Sequence, residues 1–305
     1  MRKNQPSTWF TSSDRVKRRT TTSDGISVYV DHDGNRFPSV PSVTSRIKFH
    51  DDEERLIEAA TLENYGRVTK RIDQTQEIDS GHLFWFARQV GRLAHYRIAS
   101  DIRDIGTYEK TMTERELIEL NEQEVRDASL RDVVYSIAAE RKWVNGKNDP
   151  SFEILFSESA LLHQAREDVR KIYRNWELVR DELGINHESV QAVEWMSVYP
   201  IPNEGEAWSA GFGGQIDLIY KQNGRQYTAE LKTSDWLYPE YIMQAVAYKR
   251  LCPLDAETQI IRLGRDQGDY AVFSSTDENW PDSQQIWQRF KAEALTVCDV
   301  LRKGK

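Results

Sequence analysis

The sequence predicts a mixed α/β (α+β) protein: a mixed β-sheet core flanked by helices, with a helical N-terminal half. Two observations carry this. Before Gly184, apolar residues recur at helical spacing over long stretches. After it, runs rich in Val, Trp and Tyr are broken by turn residues and alternate with two helical segments, the texture of strands and helices sharing one core.

In order along the chain, residues 1–24 read as a flexible basic leader with Arg15, Lys17, Arg18 and Arg19 close together, and residues 25–305 as one domain. "ISVYVDHDGNRFPSV" reads as a hairpin, with apolar alternation around Asp33-Gly34. A helix is expected from about Asp51 to Tyr65. A longer one runs from Ser80 to about Ile105, where Leu83, Phe86, Val90, Leu93 and Ala94 share a face. Residues 113–145 and 150–184 read as further helices, and about 105–185 as a helical insert. "SVQAVEWMSVYPI" reads as a strand, and "AGFGGQIDLIYKQNGRQYTAELKTS" as two strands joined at Asn223-Gly224. "YPEYIMQAVAYKRL" is helical with Pro239 in its first turn. "TQIIRLGR" and "DYAVFSS" are strands, and residues 283–302 a final helix.

Composition narrows the function. At 39% hydrophobic and 30% charged, the chain has material for a sizeable core and no apolar run long enough to span a bilayer, so no membrane association is expected. The N-terminus lacks the apolar centre of a secretory signal, so an intracellular location is expected. Two cysteines, Cys252 and Cys298, are too few for a four-cysteine iron–sulfur cluster or a multi-cysteine zinc site. The net charge of -8 argues against nonspecific coating of nucleic acid but not against a local basic groove.

One stretch holds charges that a core strand should not. In "AELKTS", Glu230 and Lys232 are two apart and so point to one face. Centring the hairpin on Asn223-Gly224 places Asp217 opposite Glu230. Opposed carboxylates repel unless a cation lies between them. A hard divalent ion with oxygen ligands fits, Mg²⁺ or Mn²⁺, and the Leu231 carbonyl offers a further oxygen. Lys232 then partly neutralises the pair and orients or deprotonates a water for attack on a phosphodiester. On E-x-K alone, an ordinary surface Glu–Lys pair is the better explanation, because the pattern occurs by chance in most proteins. Asp217 on the partner strand shifts the balance.

With its neighbours, this stretch resembles the PD-(D/E)XK nuclease superfamily, in its RecB-like exonuclease branch. "GGQID" is similar to the G-x-x-D strand and "AELKTS" to the (D/E)-x-K strand. "QAVAY" is similar to the Q-x-x-x-Y helix, giving Gln244 and Tyr248, and "GRLAH" to the G-x-x-x-H helix, giving His95. "VEWMSVYPI" resembles the strand with an extra acidic residue, giving Glu194. "FPSVPSVTS" resembles the P-S-V-T segment of the branch's mitochondrial genome maintenance exonucleases and their phage and bacterial relatives; either Ser39-Val40 or Ser42-Val43-Thr44 is the counterpart. The best-matched span is about 190–250. The resemblance implies a restriction-endonuclease-like core. It implies a site of His95, Glu194, Asp217, Glu230, Leu231 and Lys232, with Gln244 positioning it and Tyr248 on DNA; a helix with a buried Gln and a core Tyr is the alternative, nearly as good for Tyr248. Glu194 completes a metal site or sits in a buried ion pair; His95 is a metal ligand or a structural histidine.

For DNA contact, Ser42, Thr44, Trp236 and Arg92 stand out, with Arg46, Lys48, Arg88, Arg97, Lys249 and Arg250 as further basic candidates and Trp85, Trp195 and Trp208 as further rings; a solvated charge or a core tryptophan is the ordinary reading of each. The expected activity is a Mg²⁺- or Mn²⁺-dependent DNA exonuclease acting on free or single-stranded ends in replication, recombination or repair. No phosphate-loop motif is present, so unwinding would fall to a helicase or recombination partner. A structure-specific endonuclease and a non-catalytic DNA-binding module on the same fold are the alternatives.

Overall fold

The computed structural model describes residues 16–22, 25–47, 80–105, 135, 138–139, 142, 144–146, 148–157, 160–201, 210–234 and 237–303. Three short strands come first: β1 (Val16–Thr21), β2 (Ser27–Asp31) and β3 (Arg36–Pro38), forming an antiparallel sheet in that order. The expected leader is corrected here. Its end is β1, which pairs with β2 from Thr21–Ser27 to Val16–Asp31. The 26–40 hairpin forms, but its turn is organised by Asp31, whose carboxylate accepts from Asn35 N at 2.8 Å, rather than by Asp33-Gly34 alone. A five-residue helix, α1 (Val40–Thr44), follows. Ser39 caps it by accepting from Ser42 N.

The described helices of the middle are α2 (Ser80–Ile105), α3 (Pro150–Ser157) and α4 (Ala160–Leu183). The α2 bounds are those its apolar spacing predicts. α4 stops at Gly184, whose φ of 64° only glycine adopts readily. The helix expected over 51–65 and most of that over 113–145 lie outside the described residues.

The second half is a five-stranded sheet in sequence order: β4 (Val190–Ile201), β5 (Ala210–Gln222), β6 (Arg225–Lys232), β7 (Glu257–Leu263) and β8 (Tyr270–Ser274). All neighbours are antiparallel except β6 and β7. That parallel step needs a crossover, supplied by α5 (Pro239–Leu251). α6 (Ser283–Lys303) closes the chain. Asn223 (φ 49°) and Gly224 (φ 80°) both take the left-handed backbone of a two-residue hairpin turn, so the predicted register forms.

The result is a mixed α/β architecture in layers. On one face of the sheet, α2, α3 and α4 pack over Leu218, Ala229, Leu231 and Ile261. On the other, α5 and α6 pack over Ala192, Phe212 and Ile219, together with Val28, Val40 and Val43 of the N-terminal elements. A bridge between Ser39 and Gly213 ties the small sheet to β5. No helix among the described residues is long and apolar enough to cross a membrane. Cys252 and Cys298 are free thiols.

Candidate active site

Three acidic residues lie level on three adjacent strands. The β5–β6 ladder runs from Gln222–Arg225 to Leu218–Ala229, and Asp217 and Glu230 are the residues just beyond its last pair on the two strands, close enough to shift each other's protonation. The β4–β5 ladder pairs Val193 with Leu218 and Trp195 with Ile216, which sets Glu194 against Asp217. Glu194 interrupts β4 with φ 50°, a left-handed backbone that costs a non-glycine residue on the order of 1 kcal/mol or more and concentrates at functional sites.

The side chains converge from four elements. Asp217 Oδ2 accepts from Leu231 N at 2.8 Å. Lys232 Nζ donates to Glu230 Oε1 at 2.7 Å and to Gln244 Oε1 of α5 at 2.8 Å. Its ammonium also stands 4.6 Å from the Tyr241 ring centroid. Gln244 Nε2 reaches back to Thr44 Oγ1 at 3.4 Å, so the P-S-V-T segment is wired to the lysine through the glutamine.

From α2, His95 Nδ1 lies 3.7 Å from Asp217 Oδ2. The ring also hydrogen-bonds the Leu231 backbone. The helix comes this close because of Gly91: a Cβ there would stand 2.7 Å from Thr233 Oγ1. This is a physical reason for the glycine of G-x-x-x-H. A second close approach occurs on β5. A Cβ on Gly214 would fall 2.6 Å from the Tyr248 ring, and one on Gly213 would fall 2.6 Å from the Tyr29 ring.

Electrostatics set the protonation of the group. Burial pushes Asp217 up to about 6, against the pull of Lys232 and the Leu231 amide. Burial, then the neighbouring Asp217, pushes Glu230 up to about 7, against Lys232. Burial works against the Lys232 charge, but Glu230 and Asp217 outweigh it and its pKa rises, so it stays an ammonium at neutral pH. Burial and Lys232 lower His95, leaving a neutral imidazole near pH 7.

Among the described residues no three His, Cys, Asp or Glu side chains form a ready metal cage as placed. The donor chemistry nevertheless fits a hard cation. Glu230 Oε2 is buried with no hydrogen-bond partner. Two adjacent carboxyls hold protons well above their usual range for want of positive charge, and a neutral imidazole stands beside them. The Leu231 carbonyl, expected as a ligand, is the side of that residue turned to His95 in this arrangement.

The expected DNA contacts are placed unevenly. Of the two readings of Tyr248, the structure takes the core one over DNA contact: it is buried against Gly214, and burial with nearby Glu230 and Asp217 raises its phenol far above the ordinary range. Thr44 is buried and Ser42 half-buried, with Ser42 Oγ accepting from Ser27 N and from Ser39 Oγ. Arg92 and Arg46 are exposed. Arg97 is buried, its guanidinium over Tyr173, and is no surface cation. Lys249 pairs with Glu257, Arg250 stacks on Trp287, and Trp195 is core. Trp236, Trp208 and Lys48, and the side chains of Trp85 and Arg88, lie outside the described residues. Sequence reasoning missed Tyr241, whose ring carries the Lys232 ammonium. Tyr241 is one turn before Gln244, so the i,i+3 relation would have placed it on the same face.

No family model and no curated protein matches the chain. Among solved structures, SSO0001 is similar at 16% identity and a TM-score of 0.28, over 62% of this chain and 88% of that one. Protein VC1899 from Vibrio cholerae is similar at 12% identity and a TM-score of 0.20, over 74% of this chain and 58% of that one.

Proposed function

We propose that the chain is a divalent-metal-dependent deoxyribonuclease on a restriction-endonuclease-like core, an exonuclease acting on free DNA ends. One observation carries the reading: Glu194, Asp217 and Glu230 on three adjacent strands, Glu230 buried and the other two half-buried, with Lys232 clamped between Glu230 and Gln244 and one Glu230 oxygen answered by no donor. A purely structural ion pair needs neither the third carboxylate nor the orphaned oxygen. The parallel step from the Glu230–Lys232 strand through α5 also suits that core.

Asp217, Glu230 and the neutral His95 are the residues that would hold Mg²⁺ or Mn²⁺, with Glu194 beside them. When bound, such an ion supplies a Lewis acid for a phosphodiester and a more acidic water. The chain's own residues do the rest. Lys232 is a permanent positive charge whose position is fixed on three sides by Glu230, Gln244 and the Tyr241 face. It is aimed where negative charge would develop on phosphate oxygens. Gln244 holds that ammonium and, through Thr44, the α1 segment. The buried surroundings strengthen each of these interactions relative to water.

The test is cleavage of end-labelled linear single- and double-stranded DNA, with a circular single-stranded control, in Mg²⁺, Mn²⁺ or chelator. Metal-dependent loss of linear DNA alone is expected, with Lys232→Ala slowing it at least about 100-fold while DNA binding survives. Cleavage of the circle would replace the exonuclease with an endonuclease. DNA binding indifferent to metal, without cleavage, would replace it with a binding module.

A further inference from the structure

Thr44 ends α1, and the fold takes it out of water: 2% of its surface is exposed. The short helix that carries it is fixed on two sides. Val40 and Val43 share a buried cluster with Met243, Val246 and Ala247 of α5. Ser39, which caps α1, bridges to Gly213 on the strand that carries Asp217. A side chain so enclosed has little surface to offer a DNA strand, yet its hydroxyl is in contact with Gln244.

A hydroxyl has one hydrogen to give and two lone pairs to accept with. Thr44 Oγ1 donates its hydrogen to Pro41 O, three residues back, at 3.3 Å. Toward Gln244 it is therefore an acceptor, and it accepts from Gln244 Nε2 at 3.4 Å. The other end of the same amide, Oε1, accepts from Lys232 Nζ at 2.8 Å. An amide turned over would set its NH2 against the ammonium, donor to donor, and its oxygen against a hydroxyl whose hydrogen is already used. The bonds run one way, from Lys232 through Gln244 and Thr44 to Pro41, and each polarises the next.

We infer that Thr44 is a positioning residue for Lys232: its hydroxyl fixes which way round the Gln244 amide sits, and so presents an oxygen rather than an NH2 to the ammonium. The inference deepens the nuclease reading above and rests on it. Thr44 touches no reacting atom and acts through two other side chains. Serine would serve equally, because only the hydroxyl is used. Valine would not, although its shape is nearly the same.

The experiment uses the full chain as wild type, Thr44→Val, Thr44→Ser, Gln244→Ala, and Thr44→Val combined with Gln244→Ala. Cleavage of linear single-stranded DNA is followed in Mg²⁺, binding of the same DNA in chelator, and the nitrogen NMR signal of the Lys232 ammonium in the free protein. Thr44→Val should lower kcat about 3- to 10-fold and shift the Lys232 signal, with KM and DNA affinity as in wild type. Thr44→Ser should match wild type throughout. In the Gln244→Ala background Thr44→Val should add nothing, because the two residues act as one chain. Should Thr44→Val not fold, Thr44→Ala takes its place. A loss in KM or DNA affinity would make Thr44 a DNA contact. A loss of equal size with and without Gln244 would make its role structural. Either result, or a Thr44→Val variant that matches wild type, overturns the inference while the nuclease reading stands. If wild type never cleaves, the nuclease reading falls and the Lys232 signal decides the rest. A shift in Thr44→Val that Gln244→Ala abolishes keeps the link to the lysine; an unmoved signal removes it.

Discussion

Asp101 and Glu230 are both buried carboxylates, one on α2 beneath α4 and one on β6 beneath α5, and they are treated in opposite ways. Asp101 Oδ1 accepts from Tyr173 Oη at 3.0 Å, and Oδ2 accepts from Trp176 Nε1 at 3.0 Å and Arg180 at 3.4 Å. Both oxygens are answered. Glu230 has Lys232 on one oxygen and no amide, hydroxyl or cation on the other, with the Asp217 carboxyl in hydrogen-bonding reach. A buried charge whose lone pairs are all used holds a fold together; one left short while pressed against another carboxylate has been placed there at the expense of stability. The difference separates architecture from site without reference to any motif.

The contrast can be broken by mutating each acid. Asp101→Ala leaves the Tyr173 and Trp176 donors unanswered and Arg180 with Asp181 alone, and should lower stability by about 3 kcal/mol in denaturant melts, without altering kcat of the folded fraction. Glu230→Gln should do the reverse: abolish cleavage and leave the fold as stable or more so at pH 8. The pH dependence gives the sign. Asp217 and Glu230 have folded values of about 6 and about 7 against ordinary values of 3.8 and 4.5. Between about pH 4 and pH 7 the folded chain therefore binds more protons than the unfolded one, and stability falls as pH rises through that window. Mg²⁺ at pH 8 should recover it, by about 2.7 kcal/mol at a hundred times Kd. Glu230→Gln should flatten the pH slope and remove most of the Mg²⁺ effect. An undiminished Mg²⁺ effect in the variant would move the cation elsewhere.

A smaller effect sharpens the comparison. Gln244 touches Lys232 rather than any reacting atom, so it is a positioning residue. Gln244→Ala should lower kcat about 10-fold with KM nearly unchanged, and Gln244→Glu, which keeps an acceptor for the ammonium, should recover part of the loss. A change confined to KM would count against that role.

Much of this was legible in the sequence, and what was not has identifiable causes. The β5–β6 register followed from Asn223-Gly224, because a two-residue turn fixes pairing and period two fixes the faces; Asp217 and Glu230 therefore met as expected. The reach from Gln244 to Lys232 followed from order along a crossover helix. Tyr248 stayed open between DNA and core because a tyrosine on a helix face reads the same whether that face meets a ligand or a glycine strand; only the packing of Gly214 decides it. Arg97 was misread because a charged residue on α2 looks solvated until Tyr173 is folded over it. β1 was hidden because its run of basic residues has the composition of a tail, and its order comes from pairing with β2 rather than from its own apolar content.

That last misreading bears on how, in the proposed nuclease, a chain of net charge -8 would hold a polyanion. β1 sets Arg19 opposite Tyr29, with its guanidinium 5.6 Å from the ring centroid and its Nε donating to Ser27 Oγ at 2.9 Å. The Tyr29 ring packs on Gly213 of the strand that carries Asp217, and the Arg19 charge is felt at the Tyr248 phenol alongside Glu230 and Asp217. Arg19 is exposed, so its loss should leave the fold and kcat untouched and act on one phosphate contact. Arg19→Ala should make the slope of log affinity against log salt for single-stranded DNA shallower by about 0.7, and Arg19→Lys should restore it, since one cation displaces one counterion whatever its shape. An unchanged slope in the Ala variant, with a lowered melting temperature, would make Arg19 a packing residue for Tyr29 and return the phosphate contact to Arg92 and Arg46.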